Sequence, residues 1–453
     1  MFRKTLAAIL SLTLLTGAFY GCSGSGNGSS TSSNVSEASL TASDEQTSDN
    51  EIKIYWLSNR IVDGESFAAA EEIYQKYHVE NPNFVLEAEN IHDKTSYMQK
   101  LKTLIASNEV PDMFDIDTDP YCEQLIRDGL LANIGDYLDE EGIRDLIHEA
   151  ALTYQELPET GDLYTFPMEY AIEMHWYNTE IFEANNVSKP ENLDEFLQVC
   201  ETLKQNGVTP LAVGGQDRWQ ILRYLAMVPF RLEGNKYIFD ARTGSRSFAE
   251  DTGIKGMEFL HSVGQYFNEG FTTTDYTTAL NMFLDGKVAM FHIGSWELNT
   301  FINSDLYQQG KLDYFTMPMM DGATTAANEY VCNSGIGLAF STNSFDKTKG
   351  YLKYLVENYG EVYTNKGMLS PMKYDIPEDV EETMDPLFLK VKADIDAYGE
   401  QPLKPWDAVI DPDTYTFLGE GAAMVATGEM TPEDYAAQLD ESVANAAPTY
   451  FPE

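Results

Sequence analysis

From Glu51 onward the chain alternates between two hydrophobic periods, and no other feature of the sequence limits the fold as much. Ile52, Ile54 and Trp56 follow the two-residue period of a strand. Phe67, Ala70, Tyr74 and Tyr77 then recur at helical spacing behind Ser66, where the pattern predicts an N-cap. Residues 84–88 form a second strand pattern. Tyr97, Leu101, Leu104 and Ile105 mark one face of a second helix, and Met113–Ile116 follows Pro111 as a third strand. Strand, helix, strand, helix, strand needs crossover connections, and so predicts a parallel, doubly wound sheet.

The pattern restarts after about residue 163. Residues 173–177 suit a strand, and Leu193, Phe196, Leu197, Cys200 and Leu203 form a helix stripe that opens on Asn192 and Glu195 and ends at Gly207. Residues 209–213 are then a strand leading into Gly214-Gly215. A third block, residues 288–293, is an apolar strand entered through Asp285-Gly286 and left through Gly294-Ser295, where Ser295 can cap the helix holding Trp296. Two α/β lobes fit this pattern, and a length of 453 residues suits roughly two domains.

Residues 1–21 have the layout of a secretory signal. Arg3 and Lys4 are followed by an apolar run from Leu6 to about Leu15 and then by small residues. The run is too short for a membrane span. Gly21-Cys22 resembles the cleavage site of bacterial lipoproteins, although Phe19 and Tyr20 stand where an aliphatic and a small residue are usual. That resemblance implies lipidation of Cys22. Residues 22–50 are rich in Ser, Gly, Thr, Asn and Asp, the composition of a flexible tether. Cys122, Cys200 and Cys332 are too few and too widely spaced for a disulfide framework or a zinc site, and are expected as buried thiols.

The formal charge is −44, from 73 acidic and 29 basic side chains, which argues against nucleic acid and against a basic membrane-binding patch. Disorder is excluded, because 43% of residues are hydrophobic and 12% aromatic. The common nucleophile and phosphate motifs are absent, and among 73 acidic residues a carboxylate pair close enough for glycoside hydrolysis carries no information. There is no G-x-S-x-G elbow, phosphate loop or dinucleotide fingerprint, and the six histidines at 78, 92, 148, 175, 261 and 292 include no helical metal pair. Asp115, Asp117 and Asp119 match the start of a calcium loop, but Pro120 and Ile126 occupy the positions that need Gly and a bidentate carboxylate. The chain is therefore expected to lack a catalytic site, a metal and a cofactor.

Several segments in order, among them VPDMFDID, FLDGKVAMFHIGSWE, MPMMDG, SGIGLAFST, QPLKPWDAVIDP and ATGEMTPEDYAAQLDESV, resemble the family 1 extracellular solute-binding proteins of ABC importers, in particular the carbohydrate-binding group. The resemblance covers residues 51–453. It implies an α/β fold of two doubly wound lobes with an interlobe ligand cleft, periplasmic-binding-protein-like, type II. It also implies crossing segments, expected near residues 160–166, 284–288 and 338–343. Lobe 1 would then hold residues 51–163 and 288–341, and lobe 2 residues 164–287 and 342–453.

Ligands of open α/β sheets lie beyond the carboxyl ends of the strands. Trp56 and Asp117 end two predicted strands, Asp217 and Trp219 follow a third, and Trp296 follows a fourth. Trp406 and Asp407 sit in the Pro-bounded loop KPWDAV, and Glu169 and Tyr170 lie near the first crossing. Asn59 and Arg60 are weaker candidates, and Trp176, inside a strand, is expected in the core. Indole faces stack on the C–H faces of pyranoses, while carboxylates accept their hydroxyls. The expectation is a lipid-anchored monomer that captures a carbohydrate, an oligosaccharide, on the extracytoplasmic face and delivers it to an ABC permease. Two alternatives stay open at this point: the same architecture holding a polyamine, or a secreted glycoside hydrolase or surface adhesin.

Overall fold

The two-residue and 3.6-residue periods resolve into two mixed sheets. The computed structural model describes residues 51–60, 65–158, 160–399 and 401–452. Cys22, the signal-like segment and the Ser/Gly-rich stretch lie outside them. The strands are β1 (Ile52–Ser58), β2 (Phe84–Asn90), β3 (Met113–Ile116), β4 (Thr165–Phe166), β5 (Ala171–Asn178), β6 (Thr209–Ala212), β7 (Val288–Gly294), β8 (Leu312–Phe315), β9 (Cys332–Asn333) and β10 (Gly337–Phe340).

The first sheet has the order β2-β1-β3-β10-β4. β1 runs parallel to both β2 and β3, as the crossover pattern requires, whereas β10 is antiparallel to β3 and β4. Alternate residues feed opposite faces. Trp56, Met113 and Leu338 join one apolar cluster, while their neighbours Leu57, Phe114 and Ala339 join a second with Leu101 and Leu125. Helices cover both faces, so these strands are apolar on both sides.

The second sheet has the order β6-β7-β5-β8, with β9 also paired to β5. β7 is parallel to β6 and antiparallel to β5. This corrects the expected course of the chain. Residues 288–294 do not return to the first lobe; every residue of β7 is buried between β6 and β5 in the second sheet. A uniformly apolar strand carries no mark of which sheet receives it, so its own sequence could not decide this.

The chain passes between the sheets over residues 167–170, after β4, and over 334–336, before β10. No passage occurs at 284–288. The helix Phe345–Asn365, expected in lobe 2, instead packs on the first-sheet helix Glu65–Glu80, where the Tyr351 hydroxyl donates to the Ala70 carbonyl at 3.0 Å. The later helices Pro412–Thr427 and Pro432–Tyr450 pack against each other. They pack on the helix Asp251–Gly264 so closely that a Cβ on Gly264 would lie 2.2 Å from the Ala426 carbonyl oxygen. Trp176 is fully buried, with its indole N–H donating to the Ile293 carbonyl. The three thiols are free and buried. Among the described residues no helix is long and apolar enough to cross a membrane.

Candidate functional site

β1 and β3 stop side by side, and the turns beyond their ends form one wall of the site. Asp115, fully buried near the end of β3, accepts from the Ser58 hydroxyl at 2.9 Å, from the Asn59 amide at 2.8 Å and from Arg60 Nε at 3.3 Å. These bonds fix the turn after β1 and aim the Arg60 guanidinium at the crossing segments. There Nη1 donates to Glu169 at 2.9 Å and Nη2 donates to the Ile336 carbonyl. One buried cation thus ties a strand end to both chain passages. Gly335 makes the close approach possible: its φ is +64°, and a Cβ there would stand 2.7 Å from Glu169 Oε2.

The second wall is aromatic. Trp296 follows β7 and folds its ring back over Gly294, with its indole N–H donating to the Tyr276 hydroxyl at 3.0 Å, which in turn donates to Glu297. Trp219 begins the helix Trp219–Glu233, and its ring lies 6.2 Å from that of Trp296 at 58°. The residue before it, Arg218, has φ +69°, uncommon for a side chain of this size, and is clamped there by donating to the carbonyls of Gly215 and Thr272 at 2.7 and 3.0 Å. One helical turn on, Arg223 lies under the Trp219 ring at 4.9 Å. It donates to buried Glu173 at 2.8 Å and to Asp407 at 2.5 Å. Burial raises the Glu173 carboxyl above its ordinary range, against the pull of Arg223.

Between the walls lie two cavities, of about 460 and 390 Å³. Glu169, Asn333, Gly335 and Ile336 line both, so the crossing segments form the partition. The larger chamber holds Arg60, Tyr170, Trp296 and, from the far side, Tyr363 and Leu369. The smaller holds Lys94, Asp117, Asp119, Tyr154, Asp407 and Tyr415. Volumes of this size are those of ligand pockets.

Of the residues expected at the site, Glu169, Tyr170, Asp117, Trp296 and Asp407 line these chambers, as do Asn59 and Arg60. Trp219 adjoins them through Trp296 and Arg223. Trp56 does not belong to the site. It is 1% exposed and stacks on Phe67 at 5.2 Å, because its side chain points to the sheet face opposite Leu57. Trp406 is likewise core at 2% exposed, since KPWDAV contains the short helix Trp406–Val409, which buries the ring against Tyr237 and Phe248. Asp217 is exposed in the turn before Trp219 and lines neither chamber. Ser295 does not cap the following helix; its hydroxyl accepts from the Ile172 amide. Ser66 lies inside its helix, and its hydroxyl accepts from Arg60.

Sequence reasoning missed Lys94, Tyr154, Tyr276, Arg223 and Asn333. Arg223 carried a usable signal, being a lone cation in the apolar stretch WQILRYLAMV. Neither chamber is lined by a histidine or a cysteine, and among the described residues no group of three or more His, Cys, Asp or Glu side chains is arranged to hold a metal. The arrangement offers stacking faces and ion-paired carboxylates, which is the chemistry of reversible binding.

Residues 63–358 match the model of the family described as bacterial extracellular solute-binding protein. An uncharacterized ABC transporter extracellular-binding protein of Pyrococcus horikoshii is 22% identical over 68% of this chain and 71% of its own length. A multiple sugar-binding protein of Streptococcus mutans is 22% identical over 64% of this chain and 68% of its own. A solved chitin oligosaccharide binding protein superposes with a TM-score of 0.71 at 21% identity, covering 88% of this chain and 99% of that one. That superposition shows the fold to be shared with the solved protein, and the family match over residues 63–358 shows that the chain belongs to the bacterial extracellular solute-binding protein family.

Proposed function

We propose that this protein is the sugar-capturing component of an ABC importer, and that its ligand is an oligosaccharide held in the two-chambered cleft. The observation that carries the proposal is the pair of half-buried indoles, Trp219 and Trp296, set beside carboxylates that are already ion-paired, Glu169 with Arg60 and Asp407 with Arg223. Indole faces suit the C–H faces of pyranose rings. A paired carboxylate still accepts hydrogen bonds from sugar hydroxyls. The sugar-binding names among the relatives point the same way.

Ligand bridging both walls would draw the lobes together about residues 167–170 and 334–336, and the permease would distinguish the closed form from the open one. Export and anchoring through lipidated Cys22 complete this proposal, with residues 23–50 as the tether. The protein acts by binding and release, without turnover.

Isothermal titration against a panel of xylo-, malto-, galacto- and chito-oligosaccharides tests the proposal. Saturable binding of one glycan, recovered chemically intact, supports it; release of shorter products, or no binding across the panel, overturns it.

A further inference from the structure

The two chambers differ in charge, and the difference specifies part of the ligand. Four carboxylates line the smaller one, Asp117, Asp119, Glu169 and Asp407, against a single lining ammonium, Lys94. The guanidiniums behind Glu169 and Asp407 do not cancel this surplus. Arg60 also serves buried Asp115, and Arg223 also serves buried Glu173, so each cation is shared between two acids. The chain's own ammonium already answers to this field: Lys94 donates to Asp117 at 2.5 Å, on a side chain that is 62% exposed.

A second feature of the same chamber is independent of the acids. The Tyr154 side chain belongs to a residue only 5% exposed, and its hydroxyl has no hydrogen-bond partner among the described residues, although it lines the cavity. A hydroxyl on the chamber wall with no protein partner is open to a hydrogen bond from a ligand group. Asp117 and Asp407 line the same chamber, so a ligand group that reaches this hydroxyl also meets carboxylates. The larger chamber, with Trp296, Tyr170, Tyr363 and Leu369, has no comparable acidic surplus.

We infer that the smaller chamber is an ammonium subsite, and that the ligand is an oligosaccharide with at least one free amino group, seated on Trp296 by its ring and reaching Asp117, Asp119, Asp407 and the Tyr154 hydroxyl by its amine. This rests on the sugar-binding function proposed above and adds the ligand's charge to it.

The test compares three trisaccharides of one linkage and length that differ only at C2: the β-1,4 trimers of glucosamine, N-acetylglucosamine and glucose. Titration calorimetry on the whole chain should show the glucosamine trimer binding about tenfold or more tightly than either neutral trimer, as expected for one charge-assisted contact. Asp117→Asn combined with Asp119→Asn should erase that preference, so that the glucosamine trimer binds the variant no more tightly than the neutral trimers do. Asn retains the capping oxygen that position 119 offers to the Cys122 amide, so the fold is kept. Equal affinity for all three trimers in the wild type overturns the subsite but leaves the sugar function standing. A preference that survives the double substitution also overturns it. Binding of spermidine with no binding of any trimer overturns the sugar function itself.

Discussion

Gly294 and Trp296 compete for the same space: a Cβ built on Gly294 would lie 2.0 Å from a carbon of the Trp296 ring. The indole therefore rests directly on the last backbone of β7, where it reaches the Tyr276 hydroxyl. Gly294→Ala must push the ring off this seat. The expected result is a loss of sugar affinity as large as that of removing the ring, with a stability cost of about 1–3 kcal/mol for the forced repacking. Calorimetric titration and denaturant unfolding of the variant read the two effects separately.

Trp56, Trp219, Trp296 and Trp406 should divide cleanly under substitution. Trp296→Ala and Trp219→Ala are expected to weaken oligosaccharide binding by roughly 30-fold, about 2 kcal/mol, with little change in the unfolding midpoint. Trp56→Ala and Trp406→Ala remove buried core rings and should cost about 3–5 kcal/mol of stability. Ligand titration alongside urea unfolding distinguishes the groups, and a Trp56 variant that binds weakly yet unfolds normally would refute the assignment.

Two ion pairs near the ends of β1 and β3 should differ sharply in what they contribute to stability. Arg60→Ala leaves Asp115 buried without its cation and frees both chain crossings, so a destabilisation of about 3–5 kcal/mol is expected. Asp117→Asn breaks a pair whose lysine is largely solvated, and should change stability by less than about 1 kcal/mol. Urea midpoints of the two variants measure the contrast.

Stability should fall on acidification below pH 6.5, in part through two histidines. Burial lowers the His148 imidazole to about 4 and the His175 imidazole to about 3, from an ordinary value of 6.5. Both are depressed in the folded state, so the unfolded chain takes up protons first as the pH drops. Their contribution is whole above pH 6.5 and is lost progressively toward pH 4 and 3. Asp119 works partly against this trend, because burial raises it to about 6, so the fold retains its proton where the unfolded chain would not. His175 lies flat against Phe315, and neither ring nitrogen has a hydrogen-bond partner. His175→Phe should therefore keep the fold and flatten the pH dependence between 6 and 4 by about 1.4 kcal/mol per pH unit. Chemical denaturation across that range is the measurement, and an unchanged slope would exclude His175 as a source.

Local features were legible in the sequence. The strand at Met113–Ile116 and the turn through Gly207 come from nearest-neighbour periodicity and backbone conformation, and the structure has both. Trp296 is identifiable because a glycine and a strand end stand immediately before it. Trp406 is not, because the rings that bury it, Tyr237 and Phe248, lie more than 150 residues away in the chain. Separation in the chain also hides Arg223, whose partners Glu173 and Asp407 lie 50 and 184 residues away. β7 is recognisable as a strand, but its sheet is not, since only pairing with β5 and β6 settles that question.

The place of β10 bears on the order in which the molecule can be made. It is inserted between β3 and β4, so the first sheet stays divided until residues 337–340 have been synthesised, about 220 residues after β3. Until then β3 has an open edge and β4 has no neighbour, which leaves the early part of the chain without a finished lobe. A keystone strand so late in the sequence delays closure of the first sheet until every strand of the second has been made.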